Sequence, residues 1–168
     1  LRGLSASSDG VDLQVDLQQV GPMVSEFVQR KFEERMTQLS AAEVGRSADF
    51  WAGVKANPAI TMTESGLGYE ILKPGSDVHP TETSVITMHY TGKLIDDTVF
   101  DSSEGGEPFT GPLNQTLPAW SEGLPLIGIG GTIRLYVPPA LGFGDFGSPN
   151  GDIPPGASLV FELTLVSA

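Results

Sequence analysis

An α+β fold is predicted for this chain of 168 residues: several antiparallel strands with one short helix among them, preceded by a helical segment. Three observations predict it. Apolar residues recur at helical spacing before residue 57. Short β-type runs, cut by Gly, Pro and Asp, replace that pattern after Pro58. Gly numbers 21 and Pro 13, a content that suits turns and strands better than an all-helical bundle.

The elements follow in order. Residues 1–21 are predicted to be a mobile lead-in, polar and with a Ser/Asp/Gly cluster from Ser5 to Gly10. Alternation at Val11, Leu13, Val15 and Leu17 would suit a short strand, but no partner strand is in view. Gly21-Pro22 is a start signal, because Pro is tolerated in the first helical turn. Val24, Val28, Phe32, Met36 and Leu39 then form one helix stripe, with Phe27 beside it. Glu26 and Arg30 stand four apart, as do Arg30 and Glu34. Ser40-Ala41-Ala42-Glu43 has the form of a capping box and is read as the start of a second helix. Phe50 and Val54 give that helix an apolar edge, and Asn57-Pro58 ends it. The helical segment therefore covers 22–57. Strands are predicted near 59–63, 68–73, 83–91, 98–101, 131–137 and 158–166, and a short helix after Pro118, around Trp120 to Gly123.

Charge narrows the function classes. The net charge is −12, and residues 58–168 hold 13 acidic side chains against Lys73, Lys93 and Arg134, giving −10. Such a surface repels phosphate backbones and anionic lipid, so nucleic acid is excluded as a partner. Cys is 0, which excludes disulfides, thiolate zinc sites and a cysteine nucleophile. No apolar run reaches the roughly 18–20 residues of a membrane span. A chain that begins at Leu1 is expected to be a processed form.

The usual constellations of catalysis are missing from the sequence. His79 precedes Pro80 in a turn and reads as surface; His89 lies in the strongest strand and reads as structural. No Gly-x-Ser-x-Gly elbow occurs. Gly128-Ile129-Gly130-Gly131 lacks the Lys-Ser/Thr of a phosphate loop and reads as a tight turn. Asp96-Asp97 reads as a solvated turn rather than a paired-acid site. What stands out is aromatic: Tyr90, Phe100, Phe109, Trp120, Tyr136, Phe143, Phe146 and Phe161. Eight rings in so acidic a region suit an apolar pocket, although composition alone favours ordinary core packing.

Specific strings separate these readings. Val85-Ile86-Thr87-Met88-His89-Tyr90-Thr91-Gly92-Lys93-Leu94 leads to Phe100-Asp101-Ser102-Ser103 and Pro108-Phe109. Trp120-Ser121-Glu122-Gly123-Leu124, Gly130-Gly131 and Arg134-Leu135-Tyr136-Val137-Pro138 come next. Gly142-Phe143-Gly144 and the run from Ile153 through Pro154-Pro155-Gly156 to Phe161 close the series. In this order they closely resemble the FKBP-type peptidyl-prolyl cis–trans isomerases, the macrolide-binding immunophilins. Residues 65–75 resemble the first strands of the same domain, so the likeness covers 58–168. Phe50-Trp51 to Asn57 is similar to bacterial extracytoplasmic members of the macrophage infectivity potentiator type, which carry a helical dimerisation region ahead of the isomerase domain.

The resemblance implies a five- or six-stranded antiparallel sheet wrapped around one short helix, with a pocket between them. It implies a prolyl isomerase that assists folding of exported proteins and uses no cofactor. Its pocket positions fall on Tyr90, Phe100, Asp101, Phe109, Thr116, Leu117, Trp120, Phe143, Ile153 and Phe161. Trp120 is the implied floor, and Tyr90, Phe100, Phe109 and Phe161 the walls. Asp101 is the polar member, the Leu117 N–H a donor to substrate, and Ile153 the cover of the mouth. Phe143 stands where the family often has Tyr, Thr116 where a small aliphatic is usual, Gly111 where a larger apolar side chain is common, and Ala119 where Gly is common. The loop Asp145 to Asp152, Phe146 and Asn150 included, is also unusual in sequence, and these departures are expected to alter substrate preference or weaken macrolide binding with the chemistry intact.

Implied partners are proline-containing polypeptides, macrolides of the tacrolimus and rapamycin class, and a second copy of the chain through the 22–39 stripe. The implied location is the periplasm or outer surface. A competing reading keeps the fold and drops the turnover: a dimeric chaperone or peptide-binding module.

Overall fold

The computed structural model describes residues 17–168. The expected lead-in and its 11–17 alternation fall outside them up to residue 16. The chain divides into two compact units, Leu1–Arg35 and Met36–Ala168.

Helix α1 runs unbroken from Leu17 to Ala56. Gly21 and Pro22 therefore lie inside it rather than at its start, and Ser40 does not begin a second helix. The capping-box pattern fails because the reaching residue is engaged elsewhere: Glu43 is 2% exposed and pairs with Arg46 Nη2 at 2.6 Å. In the first unit Phe27, Val28 and Phe32 are exposed; the side chains of Val24, Met36 and Leu39 lie outside the described set. Glu34 pairs with Lys31 Nζ at 2.9 Å, one residue from the Arg30 partner expected. Arg30 sits 5.9 Å over the Phe27 ring.

The second unit is built on an antiparallel sheet. Its strands are β1 (Thr61–Met62), β2 (Gly68–Lys73), β3 (Val85–Leu94), β4 (Val99–Ser102), β5 (Phe109–Pro112), β6 (Thr132–Val137) and β7 (Leu159–Ser167). The spatial order is β1-β2-β6-β7-β3-β4, and β5 pairs with β3 alongside β4. Seven strands thus stand where five or six were expected; β5 is the addition. Its Gly111 and Pro112 hide it from a propensity reading, and pairing of Val85–Met88 of β3 with Phe109–Pro112 creates it.

Burial alternates along β6 and β7 with the period of two that one buried face demands. Ile133, Leu135 and Val137 of β6 and Leu159, Phe161, Leu163 and Leu165 of β7 face inward and are buried. Helix α2 (Pro118–Gly123) covers that face, opening with Pro at its first position. Ala119 and Trp120 of α2, with Leu124 beyond it, complete the core. The Gly128 to Gly131 segment is the turn expected: Gly131 N–H donates to the Gly128 carbonyl at 2.9 Å, and Gly130 takes φ +80°.

The last turns of α1 belong to this unit. Trp51 Nε1–H donates to Ser158 Oγ at 2.9 Å, and Ser47 Oγ lies 3.1 Å from the same oxygen. Phe50 reaches the Tyr136 ring, 6.2 Å between centroids, and Val54 is buried.

Candidate functional site

Strand β3 builds the site from one face. Its inward residues are Ile86, Met88, Tyr90 and Gly92; the first two are pure core. Gly92 pairs in register with Phe161 of β7 on one side and Asp101 of β4 on the other. A Cβ on Gly92 would sit 2.5 Å from the Phe100 ring and 2.8 Å from the Phe161 ring. Glycine there lets Phe100 and Phe161 meet edge to face across the strand, 5.6 Å apart.

Trp120 anchors the rings. Its centroid is 5.3 Å from Phe161, 5.2 Å from Tyr90 and 6.0 Å from Phe109. It is 7% exposed, and its Nε1–H has no hydrogen-bond partner among the described residues. The Tyr90 hydroxyl donates to Asp101 Oδ2 at 2.7 Å. Loss of solvent, then the bond to Asp101 and its charge, push the Tyr90 phenol up to about 12.

A cavity of about 490 Å³ opens beside this cluster, lined by Phe100, Asp101, Phe143 and Ile153 and by Ser148, Pro149, Asn150 and Asp152. The second group belongs to the loop between the turn Gly144–Phe146 and Ile153. That loop is braced internally: Ser148 N–H donates to the Ile153 carbonyl at 3.1 Å, and Ile153 N–H donates to Ser148 Oγ at 2.9 Å.

Four of the ten expected positions, Phe100, Asp101, Phe143 and Ile153, line this cavity. Tyr90, Phe109, Trp120 and Phe161 form the adjoining ring cluster instead. Phe161 is 1% exposed and stands behind Phe100 and Trp120, whereas Phe109 remains partly exposed at the rim. Thr116 and Leu117 sit on the turn that starts α2. Thr116 Oγ1 donates to the Leu113 carbonyl at 2.7 Å, joined there by Ser121 Oγ at 2.8 Å. Its hydroxyl is thus used within the turn, which explains a polar residue at that position. The Leu117 carbonyl accepts from Trp120 and Ser121 N–H, while its own N–H bonds no other backbone group among the described residues. Gly111 gives the Phe109 ring its place: a Cβ there would lie 3.1 Å from that ring.

The loop Asp145 to Asp152 departs from the family in sequence, yet its Ser148, Asn150 and Asp152, which line the cavity, are not among the ten expected pocket positions. They carry only turn chemistry as a signal, and nothing in their spacing points at a cavity. The two histidines stand apart from the site. His79 Nδ1 lies 3.0 Å from the Pro125 carbonyl, and His89 Nδ1 lies 3.3 Å from Ser103 Oγ. The Thr98 hydroxyl, and then the Thr98 N–H that donates to Asp96 at 3.0 Å, draw the Asp96 carboxyl below the usual range. Asp96 is a turn residue.

Known proteins resemble this chain in sequence and in fold. Residues 76–166 match the family model of the FKBP-type peptidyl-prolyl cis-trans isomerase. The chain is 34% identical over 166 residues to the FKBP-type peptidyl-prolyl cis-trans isomerase FkpA of Aeromonas hydrophila, covering 98% of this chain and 60% of that protein. It is 34% identical over 170 residues to the outer membrane protein MIP of Legionella longbeachae, covering 99% of this chain and 72% of the relative. The crystal structure of FkpA from Escherichia coli superposes with a TM-score of 0.82 at 29% identity, over 90% of this chain and 70% of the other. The chain spans about three fifths of the length of the FkpA relatives from Aeromonas hydrophila and Neisseria meningitidis. A family match over more than half of the chain, joined to that superposition, places the likeness in sequence and fold alike: the chain belongs to the FKBP-type peptidyl-prolyl cis-trans isomerase family.

Proposed function

We propose that this chain accelerates cis–trans rotation about X-Pro bonds in client polypeptides, by solvating the twisted amide better than the planar one. The carrying observation is the ring-lined cavity beside Trp120, with a single tyrosine–carboxylate pair at its edge. The barrier to rotation is lost amide resonance, roughly 18–20 kcal/mol. Uncatalysed X-Pro interconversion takes tens to hundreds of seconds. The planar amide is the more dipolar form, so an apolar hollow that strips its water disfavours it relative to the twisted form. Each ~1.4 kcal/mol of that difference is about tenfold in rate.

The roles follow from position. Phe100, Phe143 and Ile153 receive the proline ring, with Trp120, Phe161, Tyr90 and Phe109 stiffening the wall behind and around it. Asp101, held by Tyr90, faces the polarised amide. The Leu117 N–H holds the client backbone, and Thr116 sets the turn that presents it. Residues 58–168 with the docked end of α1 act as the isomerase domain. The exposed Phe27, Val28 and Phe32 pair with a second copy, making a homodimer. No helix among the described residues is long and apolar enough to cross a membrane; the likeness to an outer membrane protein and to FkpA proteins supports an extracytoplasmic site of action.

The deciding experiment is exchange NMR on an X-Pro peptide, with and without a macrolide of the tacrolimus class. Faster exchange that the macrolide suppresses is expected; exchange at the uncatalysed rate overturns the reading and leaves a binding module. Sedimentation of the chain is expected to give a dimer that Phe32→Glu splits, and a monomer in both overturns the pairing.

A further inference from the structure

Strand β3 changes partners beside the site. β5 pairs with it up to Met88, and β4 takes over from Thr91. Tyr90 lies in the gap, and both of its backbone groups turn toward that edge. Its carbonyl accepts from Ser103 N–H at 2.9 Å. Its N–H donates to the Ser103 hydroxyl oxygen rather than to a backbone carbonyl, also at 2.9 Å. The Ser103 carbonyl is engaged elsewhere. It accepts from Gly106 N–H at 3.1 Å in the turn that leaves β4, and His89 Nδ1 lies 3.3 Å from it. Ser103 Oγ thus supplies the rung that the sheet lacks at this point. Ser102 Oγ adds a bond of 3.3 Å to the Tyr90 carbonyl, which leaves the N–H to Ser103. Ser103 is 8% exposed, so water is a poor substitute for its hydroxyl.

Resting on the isomerase reading, we propose that Ser103 is a positioning residue of the site: by clamping both backbone groups of Tyr90 it fixes the point from which the Tyr90 hydroxyl reaches Asp101. Asp101 stands two residues before Ser103 on the same segment, so one clamp sets the spacing of both partners. Ser103 is not among the residues that line the cavity; it acts through Tyr90. The bond it protects is 2.7 Å long, and hydrogen bonds weaken steeply as distance and angle depart from the optimum. Without the hydroxyl, the half-buried Tyr90 N–H loses its acceptor, and the β3 edge is free to shift where β5 has ended and β4 has not begun. A misplacement of about 1 Å at a reacting centre can cost about a hundredfold in rate.

The test is a kinetic double-mutant cycle on the full chain with one X-Pro peptide. Ser103→Ala is expected to lower kcat/KM about fivefold. In a Tyr90→Phe background it is expected to lower it no further, because the bond it protects is already gone. A merely structural serine would cost the same factor in both backgrounds. A second readout needs no turnover. The Tyr90 phenol, at about 12 in the folded state, is expected to titrate closer to the ordinary tyrosine value in Ser103→Ala. Where Ser103→Ala fails to fold, the nearly isosteric Ser103→Cys, whose sulfur is a weak acceptor, carries the same expectations. Equal losses in both backgrounds, unchanged turnover, or an unmoved Tyr90 titration each overturns the positioning role and leaves the isomerase reading intact. Absence of turnover in the wild-type chain removes the isomerase reading and this proposal with it.

Discussion

Tyr90 of β3 and Asp101 of β4 are joined by a 2.7 Å hydrogen bond at the edge of the cavity, with the Tyr90 ring resting 5.2 Å from that of Trp120. One side chain therefore links the polar edge of the site to its aromatic base.

Removing that link has a defined signature. Tyr90→Phe keeps the ring and loses the donor, so Asp101 is freed to rotate. A hydrogen bond to a charged partner contributes about 1.5–3 kcal/mol, and kcat/KM on an X-Pro peptide is expected to fall about tenfold or more. The melting temperature should fall by only a few degrees, since solvent compensates the exposed Asp101 for much of the lost bond. Unaltered turnover in the variant would remove the pair from the reaction.

The same bond fixes a pH window. Burial and Asp101 raise the folded phenol to about 12, from the ordinary tyrosine value of 10.0. The folded state thus holds this proton more tightly than the unfolded chain does. The associated stability is fully present below pH about 10 and is lost as pH rises toward about 12. Ultraviolet titration of tyrosinate should show a delayed step that Tyr90→Phe abolishes. A Tyr90 step at the ordinary tyrosine value would contradict the geometry.

Gly92→Ala should damage the site more than the fold. Its methyl group would stand 2.5 Å from the Phe100 ring and 2.8 Å from Phe161. Overpacking of this kind costs about 1–3 kcal/mol. Phe100, at the cavity wall, is free to yield where Phe161 is not. The expected result is a folded protein with raised KM and weakened macrolide affinity; wild-type values for both would show that the rings adjust at no cost.

Ser158→Ala tests the seat of α1. The fully buried Ser158 hydroxyl serves both Trp51 and Ser47. Its removal strands the indole N–H, at a cost of about 1–3 kcal/mol. Chemical denaturation should register that loss, and Trp51 fluorescence should report a changed environment. A loss no larger than that of an exposed Ser→Ala exchange would mean the helix end is held by Phe50 and Val54 alone.

Much of this was readable before the structure, and what was not has physical causes. The alternation in β6 and β7 is strong because one face of each strand is buried, so period alone locates them. β5 has no such alternation and exists through its partner. Ser40 and Glu43 mimic a cap; only the burial of Glu43 against Arg46 shows the helix continuing. Trp51 and Ser158 are 107 residues apart, and no local pattern can connect them. The ring cluster around Trp120 emerged from its resemblance to a known family rather than from composition, which favours plain packing.

The division of labour between β3, β7 and the loop from Gly144 to Ile153 bears on how such a site diversifies. Phe161 and Tyr90 sit on strands that also hold the sheet together, so a lineage altering them pays in foldedness. The loop is tied mainly to itself, through Ser148 and Ile153. Exposed positions on that appendage can therefore change one side chain at a time, while the aromatic frame beneath is inherited unchanged.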